Sequence, residues 1–219
     1  MISNQLSRSL VALLALSLGG AAAFADHDHV QSIATARRAA VGSTVTIRGT
    51  VTVPTGAFDG GFAVQQGNAG IYVLDPGDGV SHAIGQEVEV TGTITNSSEL
   101  LAITPSAIAG RGRGSHIEAR RTRTGNVGEA TEGRMLRLEG TMVGDLVDDG
   151  PFGFKLDIDD GSGPIQVFLF PGSGISTTGL VDGARLDVTC FSNQFEVFFE
   201  CDPRQPADLT IEHGHHGHD

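Results

Sequence analysis

The sequence predicts an all-β protein built as two tandem five-stranded Greek-key barrels, and three observations carry that prediction. Short segments alternate apolar and polar residues with period two and are bounded by Gly, Asn and Asp turns. Three sequence blocks of the first half recur in the same order in the second half. Each half then reads as one long strand, two strands joined by a tight turn, a connector and two further strands, which is the order of a five-stranded Greek-key barrel.

The elements follow in chain order. Residues 1–25 read as a cleaved secretory signal peptide. Arg8 precedes the short apolar run "LVALLALSL" (Leu10–Leu18), and "AAAFA" puts Ala23 and Ala25 at the −3 and −1 positions of a cleavage after Ala25. The run is too short to span a bilayer and lacks stop-transfer charges, so no membrane anchor is expected and the protein should be periplasmic or secreted. Cleavage leaves 194 of the 219 residues, enough for one or two cores. The expected division is a first domain over 26–110, a basic linker over 111–123, a second domain over 124–211 and a His-rich tail over 212–219.

The repeat pairs residues 32–51 with 116–142, 61–77 with 153–172, and 84–105 with 181–203. In the first unit the strands are "TVTIRGTVTV", "FAVQQ", "IYVLD", "EVEVTGTI" and "ELLAIT". In the second they are "MLRLEGTMV", "FGFKLDI", "PIQVFLF", "RLDVTC" and "FEVFFE". Cys190 falls where the first unit has Gly92, and Cys201 falls near Thr104. Both therefore lie on one hairpin, within disulfide reach, and a pair in an exported chain favours a bridge. Its loop of about a dozen residues gives roughly 3 kcal/mol in the chain-entropy model.

The pattern "SIATAR…VTIRGTVT…GFAVQQGNAGIYV…IGQEVEVTGTI" resembles the OB-fold modules of secreted bacterial nucleases and related exported multi-domain proteins. The resemblance runs directly over residues 32–105 and by internal homology over 116–211. It implies two OB-fold barrels that bind nucleic acid, single strands first, as accessory modules. No G-x-S-x-G elbow, H-E-x-x-H pair or phosphate loop occurs, so a non-enzymatic protein with no required cofactor is expected.

Charge is unevenly spread. From Glu139 onward there are 15 acids against Lys155, Arg185 and Arg204, whereas Arg111 to Arg137 holds seven arginines against three glutamates. Only the middle of the chain would attract a polyanion. Arg111, Arg113, Arg120, Arg121 and Arg123 cluster there beside His116, and Arg37 and Arg38 are the first-unit counterparts of Arg120 and Arg121. Clustered guanidiniums suit phosphate. Single strands also need aromatic platforms, for which Phe62 and Tyr72 stand on strands 2 and 3, the usual OB ligand face. Two alternatives stay open: a solvated linker that balances an acidic barrel, and Phe62 and Tyr72 as core.

Other residues suggest other chemistry. Eight of eleven phenylalanines lie in the second unit, and runs such as "QVFLF" are apolar on both faces, as expected of core or of a protein-partner surface. Six aspartates fall within residues 145–160, but "DIDDGSG" lacks calcium-loop spacing and reads as a hairpin turn. His27 and His29 near the mature N-terminus, and His213, His215, His216 and His218 in the tail, have the chemistry to hold Zn or Cu. A metal-binding protein acting through its His-rich ends is the alternative function.

Overall fold

The computed structural model describes residues 29–212. The expected signal peptide, His27 and the tail histidines lie outside the described residues; His29 is exposed at their start. Among the described residues no helix is long and apolar enough to cross a membrane.

The first unit folds into five strands, β1 (Thr44–Val53), β2 (Phe62–Gln66), β3 (Ala69–Val73), β4 (Gln86–Ser97) and β5 (Leu100–Arg113). They close in the order β1-β2-β3-β5-β4, with β4 returning to β1 from Thr44↔Thr93 to Thr50↔Glu87 and β3 running parallel to β5. This is the OB-fold arrangement. Inward-facing Val45, Ile47, Val51, Phe62, Val64, Ile71, Val73, Val90 and Ile103 form the core. One helical turn, α1 (Ile33–Ala36), plugs the barrel; the Ser32 hydroxyl caps it by accepting from Thr35 N–H, and Ile33 and Ala36 are buried. Gly49 makes room for that plug, since a Cβ there would meet Ile33 Cδ1 at 2.9 Å.

The second unit repeats the design with β7 (Met135–Asp148), β8 (Phe154–Asp159), β9 (Ile165–Leu169), β10 (Arg185–Phe195) and β11 (Phe198–Asp202). The ring closes through β10 on β7, and β9 again runs parallel to β11. Two short strands flank it: β6 (Arg120–Arg121) lies parallel on β7, and β12 (Leu209–Glu212) lies antiparallel on β10. The basic stretch 111–123 is thus not a simple linker. Arg111 and Arg113 end β5, Arg113 opposite Gln86 of β4 and Arg111 in a bulge of that pairing, and Arg120 and Arg121 are strand.

The duplication accounts for the cysteines. Val45 faces Gly92 in the first barrel, and Leu136 faces Cys190 at the same register in the second. A Cβ at Gly92 would meet Ile103 Cγ2 at 2.5 Å, so that barrel fills the spot from the neighbouring strand. In the second barrel Cys190 bridges Cys201, which takes the place of Ile103, with Cα atoms 5.3 Å apart. One packing contact has become a covalent one.

The barrels dock through the outer face of β2, β3 and β5. Ala63, Tyr72 and Ala102 point out of the first core and are buried against Met135 and Phe191 of the second barrel. Tyr72 and Phe191 have ring centroids 5.9 Å apart, and Phe58 stacks on Phe170 at 4.9 Å. Burying a side chain the size of Phe191 contributes about 2–3 kcal/mol. Polar links fix the register: Met135 N–H donates to Gln65 Oε1 (2.9 Å), and Arg204 donates to Thr52 O (2.6 Å) while gripping Asp208. Arg37 donates to Gly70 O (3.0 Å) and pairs with Glu132 (2.8 Å). Backbones touch where Gly70 meets Gly133, a contact that no side chain would permit.

Candidate nucleic-acid interface

This docking removes the expected stacking platforms. Phe62 points inward and is fully buried in the first core. Tyr72 points outward but is only 5% exposed beneath the second barrel, and its hydroxyl donates to Asp59, with burial raising its pKa. Neither offers a ring to a base. The strand alternation places both side chains correctly; what covers the outward one comes from the other barrel.

The arginines divide into two sets. Arg111 is tied to Glu89 (2.7 Å), which also holds Arg48 (2.8 Å); these two guanidiniums keep the Glu89 carboxyl below its usual range. Arg113 is exposed at the end of β5 opposite Gln86. The second set comes together. Arg120, Arg121 and Arg123 line a cleft of about 430 Å³ with Thr122, Asn126 and Arg134. Arg37 and Arg38 line an adjoining hollow of about 320 Å³ with Asn68, Glu129 and Glu132. Ala130 and Arg134 belong to both, so the pairs Arg37–Arg38 and Arg120–Arg121 meet at the barrel junction. They are not the repeat counterparts the sequence suggests: Gln31 N–H donates to Thr46 O as Thr122 N–H donates to Arg137 O, which sets Arg120 and Arg121 against residues 29–30 of the first unit. Local structure aims them: β6 presents Arg120 and Arg121 from the edge of β7. Thr124, which begins the turn after Arg123, is locked by donating to Asp160 Oδ1 (2.9 Å).

Charge within this surface is partly spent. Arg37 neutralises Glu132, whose carboxyl burial nevertheless pushes upward, and Arg121 pairs with Glu139. Arg120, Arg123 and Arg134 have no ion-pair partner among the described residues. Sequence reasoning counted Arg134 only in the charge balance. The repeat contained its signal: Gly42 and Gly133 share a positive φ ahead of β1 and β7, and Arg134 stands where the first unit has Ser43.

Exposed aromatic rings lie on the second barrel instead. Phe152 (67% exposed) and Phe195 (50% exposed) rim a groove of about 380 Å³, floored by Phe168 of β9, itself only 6% exposed, and by Phe170 just after that strand. This is the OB ligand face of the second unit. Lys155 sits over Phe168, 5.8 Å from its centroid, and pairs with Asp149 (2.9 Å). Burial pushes the Glu200 carboxyl at the groove up to about 7 and also raises the neighbouring Asp202 carboxyl well above its usual range, so the groove holds less negative charge than its composition suggests. The rings were hidden in the sequence because "QVFLF" and "FEVFF" do not distinguish rim from core.

No family model matches the chain, and no curated protein matches it. Solved structures do. A p204 HINb domain is 11% identical over 78% of this chain and 95% of its own, with a TM-score of 0.34. A murine DNA-binding protein solved with double-stranded DNA is 13% identical over 77% and 96%, at 0.38. A p202 HIN1 domain in complex with a 12-mer duplex is 13% identical over 78% and 92%, at 0.35.

Proposed function

We propose that the chain is an exported, non-enzymatic OB-fold protein that binds single-stranded nucleic acid, its phosphates held by arginines at the barrel junction. The observation that carries this reading is the pair of adjoining clefts that join Arg37 and Arg38 of one barrel to Arg120, Arg121 and Arg123 of the other through Arg134. Guanidinium forks match phosphate oxygens bidentately. The exposed phenylalanines on the second barrel supply ring faces for unstacked bases, which a duplex does not offer. The acidic remainder of the chain opposes a polyanion over long range, but salt screens that repulsion beyond about 10 Å at 0.1 M. The test is the double substitution Arg120→Ala, Arg121→Ala. Losing two phosphate contacts on a single strand flattens the slope of log K against log salt by about 1.4. An unchanged slope and affinity would sink the assignment.

A further inference from the structure

Mostly buried guanidiniums in this protein come with a carboxylate, as Arg37 does with Glu132 and Arg204 with Asp208. Arg134 is the exception. It is 8% exposed, its Nη1 reaches only Ala130 O at 3.4 Å, and its Nε has no hydrogen-bond partner. Burying a charge without a partner is costly. On the cleft side cations face it: Arg120 and Arg123 line the cleft without ion pairs among the described residues, and no carboxylate does, whereas Glu129 and Glu132 line the adjoining hollow, where Glu132 is taken by Arg37. Desolvation, and then the charge of Arg120, lower the Arg134 pKa. Its root is fixed as well, since Arg134 O accepts from Ser192 N–H (2.8 Å) and Arg134 N–H donates to Thr131 O (3.2 Å). A rigid, half-satisfied guanidinium aimed into an arginine-lined cleft is an anion site waiting for its ion.

We infer that the cleft floored by Arg134 binds a phosphate dianion, either the terminal monoester of a nucleic-acid strand or inorganic phosphate. Charge selects the monoester. Arg120, Arg123 and Arg134 bring three unneutralised positive charges. A monoester carries about −1.5 to −2 at pH 7 with three acceptor oxygens, whereas an internal phosphodiester brings one charge and leaves the cations in excess. The volume of about 430 Å³ admits the phosphate with its attached sugar. The inference deepens the proposed function and rests on it only for the strand-terminus source.

Calorimetric titration of the mature chain tests it with three probes: inorganic phosphate, a 5′-phosphorylated oligonucleotide, and the same oligonucleotide with a 5′-hydroxyl. Expected are saturable phosphate binding and a preference for the phosphorylated strand of about tenfold or more, from charge-assisted hydrogen bonds lost without the terminal phosphate. Arg134→Met should abolish both. Because a buried substitution also risks the fold, exposed Arg120→Ala serves as the second variant and should weaken both. Phosphate binding without strand preference assigns the site to free phosphate and upholds the inference. Phosphate binding with no binding of either strand upholds the inference and removes the nucleic-acid reading. Equal, salt-sensitive binding of both strands with no phosphate binding overturns the inference and leaves that reading standing.

Discussion

Replacing Gly70 with alanine strikes the junction of the barrels and spares each barrel's own fold. A Cβ at Gly70 would lie 1.8 Å from Gly133 O, whereas the nearest atom of its own barrel, Val64 O, is at 3.3 Å. Gly133 is itself pinned, donating to Ser192 O at 2.8 Å, so it cannot swing aside. The two backbones must part by more than about 1 Å, which breaks the bond from Arg37 to Gly70 O and loosens the Arg37–Glu132 pair. Overpacking of this kind costs about 1–3 kcal/mol, and a lost bond to a charged group about 1.5–3. Together they remove roughly 3–5 kcal/mol of coupling between barrels rather than of stability within one. The protein carries its own probe, because Tyr72 is its single tyrosine, there is no tryptophan, and Tyr72 is buried at the interface. In urea, wild-type tyrosine fluorescence and far-ultraviolet circular dichroism should change together. In Gly70→Ala the tyrosine signal should change first, at lower urea, with strand content retained. Coincident transitions at an unshifted midpoint would refute the account of a rigid junction.

Three other outcomes follow from the same structure. Glu200 titrates near 7 when folded against about 4.5 ordinarily, so its contribution to stability is fully present below pH 4.5 and is lost as pH rises through 7. Wild-type stability should therefore fall between pH 5 and pH 8 by on the order of 2–3 kcal/mol, read as a falling melting temperature, and Glu200→Gln should flatten that fall; equal slopes would contradict it. Cys190→Ala with Cys201→Ala should cost about 3 kcal/mol for a loop of this length, seen as a lower urea midpoint for far-ultraviolet dichroism, while an unchanged midpoint would mean the bridge adds nothing. Phe195→Ala, on an exposed rim, should leave the melting temperature unchanged but weaken single-strand affinity by about 1–3 kcal/mol if bases stack there; retained affinity would remove that groove from the interface.

Much of the fold was legible in the sequence because it rests on local signals. Period-two alternation placed the strands, and the duplication aligned Cys190 with Gly92 and set Cys201 within one residue of its true counterpart, Ile103. "DIDDGSG" is the turn between β8 and β9, where Asp159 accepts from the Gly161 and Gly163 N–H groups. What alternation cannot show is whether an outward face meets water or another domain. Tyr72 and Ala63 obey the pattern and are nonetheless covered by Met135 and Phe191 from far along the chain. For the same reason alternation points to outward rings on the first barrel, whereas the exposed rings of Phe152 and Phe195 lie on the second. The arginine surface was half legible: charge density marked Arg120, Arg121 and Arg123, whereas Arg37 and Arg38 join them through the docking of the barrels and not as their repeat counterparts. Arg111 instead turned out to be spent on Glu89, and Arg134 became visible only once docking buried it.

Arginines gathered at the barrel junction are proposed to bind a single strand. Titrating the mature protein into a labelled single-stranded oligonucleotide at about 50 mM and again at about 200 mM salt tests it directly. Binding should be present at low salt and weaken steeply at the higher concentration, as phosphate contacts require. Absence of binding at low salt, where attraction to the junction is strongest, would contradict it.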